Sequence, residues 1–190
     1  MTRSWFFDPL QMFRYDLIVI DPPWDFELRS DKGAEKSQHK HYSTMTDREI
    51  KTMPVGHLAA PDCLLMCWAT SPRLPVAIEI VEAWGFVYKS IRMWRKTTAG
   101  GKVRMGTGYR VRTTGEPVIV AAVGNPKQST VPHTIFDGLA REHSRKPDEF
   151  YAECERIMPN AYRADVFGRQ SRPGWDVFGN EATKFDGEAA

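Results

Sequence analysis

One abrupt event constrains this chain more than any other: Leu17-Ile18-Val19-Ile20 runs straight into Asp21-Pro22-Pro23-Trp24. Four consecutive aliphatics leave no polar face, so the segment reads as a strand covered on both sides, as in the centre of a parallel sheet. Two prolines then stop it, because each fixes φ and lacks an N–H, and Pro22 holds Asp21 extended. Open α/β sheets bind ligands beyond the carboxyl ends of their strands, and Asp21 stands at such an end. The lip is read as offering a carboxylate, backbone carbonyls that no local N–H occupies, and one large aromatic. That set suits a flat ring bearing an amine. Trp24 reads either as a wall for that ring or as a plug for the core, and Asp-Pro-Pro alone is also an ordinary turn. Average residue usage would place Asp-Pro-Pro-Trp in only about one chain in several thousand of this length.

The rest of the chain supplies a single domain, residues 1–190, of ordinary globular composition with 42% hydrophobic and 26% charged residues. No apolar run approaches the length of a membrane span. The opening segment meets Asp8 and Pro9 too early for a signal-peptide core. Cys63, Cys67 and Cys154 are an odd, sparse set without metal spacing and read as reduced core thiols, which points to the cytoplasm. Net charge is only +2, but its distribution is uneven. Arg95, Lys96, Lys102, Arg104, Arg110 and Arg112 lie in a Gly-punctuated stretch, 95–115, with no acid among them. Such a stretch is either a solvated loop or, beside a nucleobase pocket, a phosphate-neutralising one.

In chain order, residues 1–15 are an aromatic-rich arm and 25–41 a long polar loop beside the lip. Thr46 with Glu49 forms a capping box that opens a helix ending before Pro54. Cys63–Trp68 reads as a second buried strand, Leu74–Trp84 as a helix stopped by Gly85, and Phe86–Trp94 as a strand. Val118–Val123 is a further strand, and 125–142 reads as a linker, with His133 and Asp137 assigned no role. Ser144 reads as the N-cap of a helix running through Ile157, with Pro147 in its first turn. Ala164–Gly168 and Trp175–Gly179 read as short strands ending in glycine, and 182–190 as a frayed tail. Alternating strands and helices imply an α/β fold with a mostly parallel central sheet flanked by helices.

Asp21-Pro22-Pro23-Trp24 after an aliphatic strand, together with Ser144-x-Lys146-Pro147-x-Glu149 and the Asp165–Glu181 segment, resembles the MT-A70-like family. Its members are S-adenosylmethionine-dependent methyltransferases acting on the adenine amino group. The resemblance implies a Rossmann-like methyltransferase fold, with Asp21, Pro22, Pro23 and Trp24 catalytic and S-adenosylmethionine as methyl donor. It implies donor contacts from Asp21, Lys146, Asp165, Arg169, Asn180 and Glu181. It also places Tyr42, Trp94 and Glu116 around the target base, though by residue type alone Tyr42 could cap a loop, Trp94 fill the core and Glu116 cap a turn. The chain departs from the family at Ser171-Arg172, where relatives carry His-Asn, and at Glu181, where some carry Gln.

Chemically, an adenine amine is a poor nucleophile because its lone pair is delocalised into the ring. Two acceptors aimed at its hydrogens, Asp21 and the Pro22 carbonyl, favour the charge that develops during attack. Trp24 and Tyr42 would stack the base. The expected partner is nucleic acid, DNA ahead of RNA, with a homodimer or heterodimer open and no membrane. The other readings are RNA adenine methylation, cytosine amine methylation, and a non-catalytic nucleic-acid-binding subunit. The intact motif residues count against the last.

Overall fold

The computed structural model describes residues 4–25, 44–107, 110–142 and 144–187. Seven strands form one sheet: β1 (Tyr15–Ile20), β2 (Ala59–Trp68), β3 (Val87–Thr97), β4 (Gly115–Val123), β5 (Ile135–Leu139), β6 (Arg163–Val166) and β7 (Trp175–Phe178). Their order is β5-β3-β4-β2-β1-β6-β7. All adjacent pairs are parallel except the two made by β4, which runs against β2 and β3. The helices are α1 (Asp47–Thr52), α2 (Leu74–Ala83) and α3 (Asp148–Ile157). This is the expected mostly parallel Rossmann-like sheet flanked by helices.

β1 is where the topology turns. The chain leaves β1 for β2 on one side and returns much later to β6 on the other, so a crevice opens between the ends of β1 and β6. Leu17, Ile18, Val19 and Ile20 are fully buried, as a central strand requires. Side chains alternate between two core layers. One holds Ile18, Ile20, Leu65, Ile80, Ala164 and Val166, with Phe7 and Leu10 of the N-terminal arm. The other holds Leu17, Val19, Met66, Trp68, Trp94 and the α3 residues Phe150, Tyr151 and Ile157. The three cysteines are free and buried among them.

Several local expectations are met. Thr46 caps α1 in a reciprocal capping box with Glu49, and Gly85 after α2 takes φ +92°, a conformation glycine adopts at little cost. Others need correction. Residues 125–142 are not merely a linker: Ile135–Leu139 adds to the edge of the sheet beside β3. A glycine in mid-strand and a charged, half-exposed pattern hid it. Ser144 is not the cap of α3; it sits at φ 63° and Pro147 occupies the cap position. The basic stretch is shorter than expected, because β3 carries Arg95 and Lys96 and β4 starts at Gly115. The segment after β7 does not fray across 182–187: Phe185 is 4% exposed and its N–H bonds the Arg169 carbonyl at 3.0 Å.

Candidate active site

Because β4 runs backwards, its first residues reach the same sheet edge as the last residues of its neighbours. Glu116 at the start of β4 therefore lies opposite Trp94 near the end of β3, on the edge where Asp21 leaves β1. Lys146 arrives from the loop before α3 and lies between them. Its Nζ is 3.2 Å from Asp21 Oδ2 and 2.9 Å from Glu116 Oε1, while Glu116 Oε2 is 2.9 Å from Lys96 Nζ. Four charges of alternating sign thus form one row, Asp21–Lys146–Glu116–Lys96.

Aromatic rings hold the cations of that row. Lys146 Nζ stands 4.6 Å over the Trp68 ring and Lys96 Nζ 4.8 Å over Trp94, with the two indoles edge to face. Trp94 donates its indole N–H to the Gly138 carbonyl at 2.9 Å. Gly138 is required there, since a Cβ would lie 2.7 Å from Trp94 Nε1 and 2.6 Å from Pro147. Edge strand β5 is in this way clamped to both the tryptophan wall and the lysine loop.

The charges answer to burial and to one another. Burial pushes the Asp21 carboxyl upward, and Lys146 partly offsets it. Burial would also raise Glu116, but Lys146 and Lys96 overcome it and hold that carboxyl down at about 2. Burial disfavours the Lys146 ammonium, yet Asp21 and Glu116 keep it charged, above its ordinary value.

On the other side of Asp21, a cleft opens at the β1/β6 crevice, lined by Asp21, Lys146, Tyr151, Asp165, Arg169 and Arg172 among others. Asp165 forms its floor, accepting the Tyr151 hydroxyl at 3.0 Å; burial raises its carboxyl to about 7. The Arg172 guanidinium stacks 3.7 Å over Tyr151 and bonds Asp148 at 2.6 Å. Gly168 must be glycine: a Cβ would meet Asp165 Oδ2 at 2.4 Å.

The structure gathers Asp21, Lys146, Asp165 and Arg169 in one cleft. Glu181 joins through an ion pair to Arg169 at 3.3 Å, whereas Asn180 is exposed and does not line the cleft. Lys96 and Glu116 stand beside it, while Trp94 is 3% exposed and fills the core behind them. Lys102, Arg104, Arg110 and Arg112 are exposed on the loop beyond them, with Arg104 bonding the Ala140 carbonyl at 2.8 Å. Arg95 is not an unopposed cation, because Asp137 of β5 pairs with it through two contacts of 2.5 Å. Tyr42 and loop residues 26–41 lie outside the described residues.

Two features of the lip differ from expectation. Trp24 is 3% exposed, and its indole N–H bonds the Trp68 carbonyl at 3.1 Å; it plugs the core instead of presenting a stacking face. The lip carbonyls are not unoccupied either. The Trp24 N–H reaches back to the Pro22 carbonyl at 2.8 Å, and the Met45 N–H takes the Pro23 carbonyl at 2.9 Å. A second lone pair remains on the Pro22 oxygen. Sequence reading missed Trp68, Tyr151 and Phe185. Trp68 ends a buried strand as Trp94 does, and Phe185 is the only aromatic in its polar tail; both were available signals.

The MT-A70 family model matches residues 15–181, which include Asp21, Glu116, Lys146, Asp165 and Glu181. The chain belongs to the MT-A70 family. An N(6)-adenosine-methyltransferase MT-A70-like protein of Arabidopsis thaliana is 31% identical over 189 residues, covering 94% of this chain and 26% of that protein. The Type II methyltransferase M.MunI of Mycoplasma sp is 27% identical over 194 residues, covering 92% of this chain and 81% of its own length. The human N(6)-adenosine-methyltransferase catalytic subunit METTL3 is 27% identical over 174 residues, covering 88% and 28%. This chain thus spans about a quarter of the plant and human members and most of the Mycoplasma one. Among the described residues, no group of three or more His, Cys, Asp and Glu is placed to hold a metal ion. No helix among them is long and apolar enough to cross a membrane.

Proposed function

We propose that this chain transfers a methyl group from S-adenosylmethionine to the exocyclic amine of adenine in DNA. The observation that carries the reading is the Asp21 carboxylate, standing between a polar cleft and a tryptophan-walled charged row at the switch point of an MT-A70 sheet. The cleft's chemistry fits the donor. Asp165 and Asp21 suit its amine, ribose hydroxyls and sulfonium charge, and Lys146, Arg169 and Arg172 suit its carboxylate. When bound, S-adenosylmethionine supplies an electrophilic methyl group.

This chain's residues do the rest. Asp21 and the remaining lone pair of the Pro22 oxygen accept from the amine hydrogens, turning the nitrogen lone pair out of conjugation and stabilising its developing positive charge. Lys146 holds the Asp21 carboxylate in place, and Glu116 stands beside the base with the buried Trp94 indole behind it. Asp21, close to the amine, is the group to receive the proton afterwards. Holding the amine in line supplies much of the rate. Lys102, Arg104, Arg110 and Arg112 bind phosphates. The match to the Type II methyltransferase M.MunI, over 92% of this chain and 81% of that protein, supports DNA. Because a paired base must leave the stack, unpaired or weakly paired adenine is the better substrate.

The test is transfer of labelled methyl to single- and double-stranded DNA and RNA, followed by digestion and mass identification of the nucleoside. N6-methyladenine from DNA is the expected product. N6-methyladenine from RNA alone would overturn the polymer assignment, and no methylated nucleoside despite measurable donor binding would overturn the reaction.

A further inference from the structure

The row of four charges does more than line a wall, because its last member, near the end of β3, anchors the basic loop that follows that strand. Lys96 is bonded through its backbone to both legs of that loop: its N–H donates to the Thr114 carbonyl at 2.9 Å, and its carbonyl accepts from the Arg104 N–H at 2.8 Å. Its side chain takes one oxygen of Glu116, and Lys146 takes the other. Lys146 is therefore shared, with the shorter contact, 2.9 Å, to Glu116 and the longer, 3.2 Å, to Asp21. The two indoles under the ammonium groups keep each cation from sliding along the row.

We propose that Lys96 and Glu116 are positioning residues for Asp21: by dividing Glu116 between two lysines, they keep Lys146 from closing a full ion pair with Asp21. This leaves Asp21 charged but with acceptor capacity free for the amine. The importance of that capacity rests on the methyltransfer reading; the electrostatic coupling does not. Asp21 feels Lys146 and Glu116 from one side, Arg169, Asp165 and the Tyr151 hydroxyl of α3 from the cleft, and the Cys67 thiol from β2. Within that set the row sums to zero charge, so each removal has a definite sign. Without the Lys96 charge the row becomes negative and Asp21 holds its proton to higher pH. Without the Glu116 charge the row becomes positive and Asp21 releases its proton at lower pH.

The experiment is a pH titration of the Asp21 side-chain carbonyl by carbon-13 NMR in the full chain, assigned with Asp21→Asn. Lys96→Met is expected to raise the Asp21 midpoint by about half a pH unit or more, and Glu116→Gln to lower it by a similar amount. The double variant is expected to return close to wild type. Lys96→Arg, which keeps the charge, leaves the midpoint unmoved. Should Lys96→Met fail to fold, Lys96→Gln carries the same prediction. Single variants that shift Asp21 in the same direction, or not at all, overturn the proposal. Opposite shifts in a chain that transfers no methyl group would uphold the pair and overturn the functional reading. In an active enzyme, the acid limb of the kcat profile moves in the same two directions.

Discussion

The two faces of the sheet are made by the same strands, yet they carry different chemistry. On the face covered by α1, α2 and the N-terminal arm, the buried core is aliphatic, aromatic and thiol: Ile18, Ile20, Trp24, Cys67, Ile80 and Val166. On the face covered by α3, alternate residues of those strands bring charge inside. Asp165 pairs in register with Val19, Glu116 with Trp94, and Arg92 with Val118, and each of those three partners belongs to the α3-side core. Buried Arg92 is answered by Glu153 of α3 and by the His133 carbonyl. Period-two alternation lets a protein put its stability on one face and its polar site on the other. Unpaired buried charge is costly, so the polar face needs its network of lysines, arginines and tryptophans.

That contrast can be broken at graded points. Ile80→Ala, on the apolar face, is expected to lower stability by about 2–5 kcal/mol in denaturant melts, with kcat of the remaining folded enzyme unchanged. Asp165 provides the next effect. Its carboxyl is raised from 3.8 to about 7, so the folded chain binds a proton more tightly than the unfolded one. Its contribution to stability is full below about pH 4 and is lost as pH rises through about 7. Asp165→Asn should therefore remove about 2–4 kcal/mol of the decline between pH 4 and 8; an unaltered slope in Tm against pH would contradict this. Trp24→Phe sharpens the comparison with the smallest change. Losing the indole bond to the Trp68 carbonyl should cost about 1–2 kcal/mol of stability, with KM for nucleic acid unmoved. A large rise in KM with normal stability would return Trp24 to the role of base wall.

The apolar face was legible in the sequence because its signals are local. Leu17–Ile20 announced a strand buried on both sides, Thr46 with Glu49 a capped helix, and Gly85 a helix end. Asp21 was legible too, from the prolines that halt β1. What stayed hidden depends on strand direction and register. Nothing near Glu116 in the chain says that β4 runs backwards and delivers it to the edge where β1 delivers Asp21. Likewise Lys96 and Lys146 lie 50 residues apart and meet only through Glu116. The two prolines lack donors, but the Trp24 N–H just after them reaches back to the Pro22 carbonyl, a turn that the strand-stopping prolines do not announce.

If Asp21 acts on the amine being methylated, Asp21→Asn must disable transfer without disabling donor binding. The amide keeps the size of the side chain while removing its charge. Donor binding by calorimetry and transfer of labelled methyl to adenine in DNA should be measured side by side on wild type and variant. Donor affinity is expected to stay within about tenfold of wild type, and transfer to fall at least about a hundredfold. Transfer near the wild-type rate in a folded Asp21→Asn chain would contradict that role of Asp21.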